Sequence, residues 1–175
     1  LGKVVESIAG MPLDLYLRKS FYLPLGMEQT MFNPPATVAE NIAPTELDTL
    51  WRMKLLRGTV HDENASLLGG VAGHAGLFSS ASDLALYMAM IVNHGSYGGR
   101  EYLKPETVDL FTTRSGPEGK RGLGWDMKTI GGYSSAGSLF SPLSFGHTGF
   151  TGTSIWVDPG KKIFVILLAN RVYPT

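Results

Sequence analysis

The residues best suited to chemistry are His147-Thr148-Gly149, within the run Phe145-Gly146-His147-Thr148-Gly149-Phe150-Thr151-Gly152. An imidazole beside a hydroxyl offers a cation and a hydrogen-bonding group to an acyl or carboxylate ligand. Three glycines around them leave backbone uncovered where a ligand can lie along a strand. Taken alone, such a tripeptide is more often plain strand and turn, so the surrounding chain has to decide.

A second cluster of reactive types is His61-Asp62-Glu63 with His74. Its spacing fits no standard metal-ligand pattern, and a loop hydrogen-bond network is the expected reading, with no metal or other cofactor. His74 lies in Gly69-Gly70-Val71-Ala72-Gly73-His74-Ala75-Gly76, where the glycines imply positive φ angles or close backbone approach. It is a candidate pocket residue and equally a structural one. His94 beside Gly95 reads as a helix C-terminal residue. Trp51, Trp125 and Trp156 suit core or pocket wall better than a carbohydrate platform. Asn64-Ala65-Ser66 matches a glycosylation sequon, which means little if the source is bacterial.

The elements that must position these residues follow from pattern. Val4, Val5 and Ile8 mark a helix stopped by Gly10. Pro12 opens a second helix, with Leu13, Tyr16 and Leu17 inward, which Pro24-Leu25-Gly26-Met27 breaks. Asn33 to Pro44, with three prolines, reads as an extended loop. Ser80 or Ser82 caps the clearest helix, whose apolar face is Leu84, Tyr87, Met88, Ile91 and Val92, and Gly95 ends it. Pro105 starts a short helix through Phe111. Strands are expected over Gly122 to Met127, Leu143 to Gly149, Thr153 to Val157 and Ile163 to Ala169. Asp158-Pro159-Gly160-Lys161 joins the last two as a type II turn, and Ile163 to Ala169 reads as a buried strand. Helices early and antiparallel strands late make the fold class α+β.

Composition supports a well-packed globular domain. Of 175 residues, 43% are hydrophobic and 17% charged, enough for one domain with a sizeable core. Fifteen basic residues balance fifteen acidic ones, which removes any overall electrostatic drive toward nucleic acid or an anionic membrane. The absence of cysteine excludes disulfides, thiolate metal sites and cysteine nucleophiles. No apolar run is long enough for membrane insertion as a helix.

Five segments, in order, carry a resemblance. They are Leu1-Gly2-Lys3-Val4-Val5-Glu6; Pro24-Leu25-Gly26-Met27 with Thr30 and Phe32; Gly73 to Asp83; Gly146 to Gly149; and Leu168-Ala169-Asn170-Arg171 with Tyr173-Pro174. Together they resemble the C-terminal part of penicillin-recognising serine hydrolases of the class C β-lactamase and D-Ala-D-Ala peptidase type. Val60 to Ala65 and Asn170 to Thr175 look like the branch fused to bacterial glycoside hydrolases.

The resemblance implies a β-lactamase/transpeptidase-like fold and acyl transfer through a serine ester, on a lactam, D-amino-acid peptide or ester. The backbone N–H of Phe150 takes the place of an oxyanion donor, and His147, Thr148, Gly149, His74 and Asn170 the place of substrate contacts. His147 stands where many relatives have lysine, and a neutral imidazole attracts an anion less than an ammonium does. No Ser or Thr has a Lys three residues on, and no Tyr-x-Asn occurs; Tyr133-Ser134-Ser135 lies in the wrong place. Residues 1–175 are therefore expected to be one part of a single domain whose Ser-x-x-Lys and Tyr-x-Asn lie upstream. Alone they are expected not to catalyse, to expose a strand edge, and to self-associate or require the missing part. A non-catalytic binding module of the same fold is the alternative. The resemblance places the protein in a bacterial envelope or periplasm.

Overall fold

The computed structural model describes residues 1–116 and 119–174. The chain divides into two compact units, Leu1–Asp83 with Asn170–Thr175, and Leu84–Ala169. Thr175 lies outside the described residues.

In the first unit, α1 (Gly2–Ala9) ends at Gly10, which takes the left-handed conformation (φ 65°) and donates its N–H to Glu6 O at 2.9 Å. Its Val4 and Ile8 are exposed. Helix α2 (Leu13–Leu17) buries Leu13 and continues through a π-helical turn (Arg18–Tyr22) into α3 (Leu23–Leu25). Gly26 (φ 80°) stops this run, so the glycine and not Pro24 is the breaker. Residues 33–44 are not wholly extended, because Ala36–Asn41 winds into a 3₁₀ turn.

Strand β1 (Met31–Phe32) pairs with β4 (Leu77–Phe78), and β2 (Glu46–Asp48) with β3 (Lys54–Leu56). These short pairs were not evident from periodicity, since two or three residues show no alternation. Between them, α4 (Glu63–Leu67) is capped by Asp62, which accepts the Ala65 N–H at 2.7 Å. Val60, Ala65 and Ala72 form a small buried cluster there.

Thr30 and Asp83, both buried, tie distant segments of this unit together. The Asp83 carboxylate accepts the Thr30 hydroxyl and the Gln29 N–H, each at 2.8 Å. Ser80 caps α5 (Ala81–Val92) by accepting the Asp83 N–H at 3.2 Å. Replacing Ser80 by alanine removes that cap and is expected to lower unfolding free energy by about 1 kcal/mol in urea melts.

The second unit holds most of α5, whose Met88, Met90 and Ile91 are buried. Strands β5 (Ser96–Tyr97) and β6 (Arg100–Glu101) form a hairpin, and α6 spans Pro105–Thr112. A four-stranded antiparallel sheet follows in the order β10-β9-β8-β7. Its strands are β7 (Asp126–Met127), β8 (Phe145–Thr148), β9 (Thr153–Asp158) and β10 (Ile163–Leu168).

Three expectations change here. Gly122 to Met127 is not one strand, because the Gly122 N–H bonds to Trp125 O at 2.9 Å and Gly124 (φ 87°) closes a tight turn before β7. The β9–β10 turn is not type II. Gly160 has no positive φ, the Asp158 carboxylate accepts the Lys161 N–H at 3.2 Å, and Lys162 takes the left-handed conformation (φ 52°). Strand β10 is not buried: it is a sheet edge with Ile163, Val165, Leu167 and Leu168 exposed. Among the described residues no helix is long and apolar enough to cross a membrane.

Candidate active site

Strand β8 carries His147 and Thr148. It pairs with β9 along its length, Phe145 opposite Val157 through Thr148 opposite Ser154. On its other side β7 covers only Phe145 and Gly146. Among the described residues His147 and Thr148 are therefore flanked by a strand on one side alone, and both side chains are exposed. A ligand with an extended backbone can pair with such an edge.

The buried half of β8 is held tightly. Phe145 is buried with Trp125 edge-on at 5.3 Å between ring centroids. Gly146 lies beneath buried Trp156, so close that a Cβ would stand 2.2 Å from Ile155 O and 2.5 Å from the indole. Only glycine fits.

His147 Nδ1 lies 2.8 Å from Thr148 O. A carbonyl oxygen only accepts, so Nδ1 donates here, and in the corresponding neutral tautomer Nε2 is left as an acceptor. The turn that follows is closed by the Gly149 N–H on Thr153 O at 2.7 Å and the Gly152 N–H on Gly149 O at 3.1 Å. Phe150 sits at its exposed tip. Thus His147, Thr148, Gly149 and Phe150 form one contiguous edge and turn in the second unit.

His74 and Asn170 belong to the first unit, in separate settings. His74 Nε2 is 3.1 Å from Asp62 Oδ1, and its ring is half exposed. The Ala65 N–H first, and His74 second, hold the Asp62 carboxyl below its ordinary range. The glycines beside it serve both expected purposes. Gly70 and Gly76 have positive φ, and a Cβ on Gly73 would stand 3.0 Å from the Gly2 nitrogen. Asn170 donates Nδ2–H to Pro44 O at 2.6 Å and accepts the Val172 N–H at 3.2 Å, so its amide is engaged by backbone.

Comparison with known proteins identifies the family. The whole chain, residues 1–175, matches the family described as Beta-lactamase. The chain belongs to the beta-lactamase family. It is 40% identical over 191 residues to an Escherichia coli K12 protein provisionally named a D-alanyl-D-alanine carboxypeptidase, covering 98% of this chain and 43% of that one. A penicillin-binding protein homologue from Caulobacter crescentus shares the fold at TM-score 0.66 and 17% identity, over 97% of this chain and 49% of that one. An octameric penicillin-binding protein homologue from Pyrococcus abyssi does so at TM-score 0.64 and 24% identity, over 99% and 37%. This beta-lactamase-family chain thus has an α+β, transpeptidase-like fold and spans less than half the length of the curated relatives it matches.

Two polar clusters of this beta-lactamase-family chain were missed from sequence. Asp48, buried, and Arg52, partly buried, pair at 2.6 Å in the first unit. Asp158, fully buried at the end of β9, grips Ser141 in the second. An aspartate four residues before an arginine, or one opening a turn, is too common a pattern to have singled them out. The three tryptophans also resolve: Trp156 is core, Trp125 packs on Phe145, and Trp51 stays about half exposed beneath the Arg52 guanidinium at 5.0 Å.

Proposed function

We propose that residues 145–153 are the substrate-binding edge of a serine hydrolase that acts on a lactam, D-amino-acid peptide or ester through an acyl-enzyme. The observation that carries this reading is the half-covered strand β8, on which β7 stops at Gly146 and leaves His147 and Thr148 on an open edge. Membership of a serine-hydrolase family and a relative named a D-Ala-D-Ala carboxypeptidase support the substrate class. The Ser-x-x-Lys nucleophile and Tyr-x-Asn are absent from residues 1–175, and in this reading they come from sequence outside them.

The residues have distinct tasks. Thr148 donates its hydroxyl to the substrate carboxylate or carbonyl. The Phe150 N–H serves as one oxyanion donor, of the kind that typically contributes about 3 kcal/mol to the transition state. His147 offers Nε2 as an acceptor when neutral, which suits a neutral donor such as a peptide N–H better than the carboxylate of a β-lactam. Asn170, with its amide engaged by Pro44 and Val172, and His74, paired with Asp62, belong to the first unit and are fixed there by their own loops.

The test compares residues 1–175 with the full-length gene product on nitrocefin and p-nitrophenyl acetate. Turnover is expected from the full-length product only, and Thr148→Val should lower its kcat/KM by roughly tenfold to a hundredfold, as loss of one substrate hydrogen bond does. His147→Lys should shift preference toward nitrocefin. Turnover indifferent to both substitutions would place the site elsewhere, and a full-length product never acylated would leave a non-catalytic binding module.

A further inference from the structure

We infer that Asp158 is a positioning residue, whose buried carboxylate clamps the segment leading into β8 and so fixes the register in which His147 and Thr148 are presented. The inference rests on reading β8 as the substrate edge. Strand β8 has four residues, one of them glycine, and only its first half lies between two strands. A short strand with a polar, exposed end specifies register weakly, and a slip of one residue exchanges the faces of every side chain. Something besides hydrophobic pattern must hold it.

The connection from β7 gives no such hold by regular structure, since residues 128–144 contain neither helix nor strand. Its last turn is instead bonded at three points. The Ser141 N–H donates to Asp158 Oδ2 at 2.8 Å, and the Ser141 hydroxyl donates to Asp158 Oδ1 at 2.9 Å. The Ser144 N–H closes on Ser141 O at 3.0 Å. Ser144 O then accepts the Lys128 N–H at 2.8 Å, one residue beyond β7. Ser144 is fully buried and directly precedes Phe145, the first residue of β8.

Asp158 is the anchor because it belongs to β9, the strand against which β8 is registered. Its neighbour Val157 pairs with Phe145, so clamping Ser141 on Asp158 sets where β8 begins, and Ile155 and Ser154 then meet His147 and Thr148. A fully buried carboxylate persists only with a full set of donors. Here they are the two Ser141 groups, the Lys161 N–H at 3.2 Å and the Lys161 ammonium at 3.7 Å. Burial pushes this carboxyl up, but the bonds from Ser141 and Lys161 outweigh it and keep it ionised. The Lys161 ammonium also bonds Leu139 O at 2.9 Å, fastening the same connection a second time.

The experiment uses the full-length gene product and its Asp158→Asn and Ser141→Ala variants. Hydrogen exchange is followed in peptides covering residues 143–150, beside kcat and KM on p-nitrophenyl acetate. Asp158→Asn is expected to speed exchange across β8 about tenfold or more and to lower kcat while raising KM, because the edge that holds the substrate loses its register. Ser141→Ala removes a single hydroxyl and keeps the fold, so it carries the same measurement with a smaller change of about threefold. Exchange in β8 as slow as in the parent for both variants overturns the clamp. Faster exchange with kcat unaltered supports the clamp and tells instead against β8 as the substrate edge.

Discussion

Replacing Gly146 by valine is expected to unfold β8 locally and to remove activity from the full-length gene product. The argument is steric. A Cβ at this position would stand 2.2 Å from Ile155 O and 2.5 and 2.7 Å from two carbons of the Trp156 indole. The first of these is backbone of the paired strand, which no rotamer change can withdraw. The second belongs to a buried ring, and protein interiors are too closely packed for it to move aside freely. Overpacking of this kind costs about 1–3 kcal/mol and occasionally more, and alanine already meets the clash. Relief comes by pushing β8 off β9, which moves His147 and Thr148, one and two residues on. Gly146→Ala should therefore lower Tm by several degrees and Gly146→Val by more, each with accelerated exchange over residues 145–148. Activity should fall further than with Thr148→Val, since the whole edge is displaced. A Gly146→Val protein with parental Tm and kcat/KM would show that β8 does not sit beneath Trp156.

Much of this arrangement was legible in the residues, and the parts that were not share a cause. Helices α1, α5 and α6 announced themselves by apolar spacing, a capping serine, an N-terminal proline and stopping glycines, all local signals. The β9–β10 hairpin was visible from its apolar runs. The resemblance segments around Thr30 and Asp83 looked unrelated in sequence, yet they meet in a buried hydrogen bond at 2.8 Å. Gly2 and Gly73 likewise approach within the reach of a single Cβ. Such contacts join residues tens of positions apart, so neither segment alone reveals why its residue type is needed. Strand β10 was misread as buried because hydrophobicity reports what a face prefers to touch, and among the described residues its one sheet neighbour is β9. The Asp158 clamp escaped notice because Ser141 lies seventeen residues away in a segment with no periodicity.

Arg52→Met is expected to weaken the first unit at neutral pH and to flatten its response to acid. Arg52 is the hub of the β2–β3 hairpin. Its Nε bonds Asp48 Oδ2 at 2.6 Å, while its two terminal nitrogens donate to Val60 O at 2.8 Å and His61 O at 3.1 Å. Asp48 in turn accepts the N–H groups of Leu50 and Trp51 at 3.1 and 2.9 Å. The Arg52 hydrogen bond, with help from the Trp51 N–H, holds the Asp48 carboxyl well below the usual carboxylate range. The sign follows from that direction. A carboxyl depressed on folding adds stability that is fully present above about pH 5 and is lost as pH falls below about 4, toward the folded value. Methionine keeps the length of the side chain but removes every donor, leaving a buried carboxylate and two carbonyls without their partner. Tm at pH 7 should drop sharply, and the fall in Tm between about pH 5 and pH 2 should become shallower than in the parent. Some acid sensitivity remains, since Asp62 and Asp158 are also depressed. Adding Asp48→Asn to Arg52→Met should cost little more than Arg52→Met alone, because both substitutions break the same bond. Equal Tm–pH slopes in parent and variant would mean that the hairpin is not held by this pair.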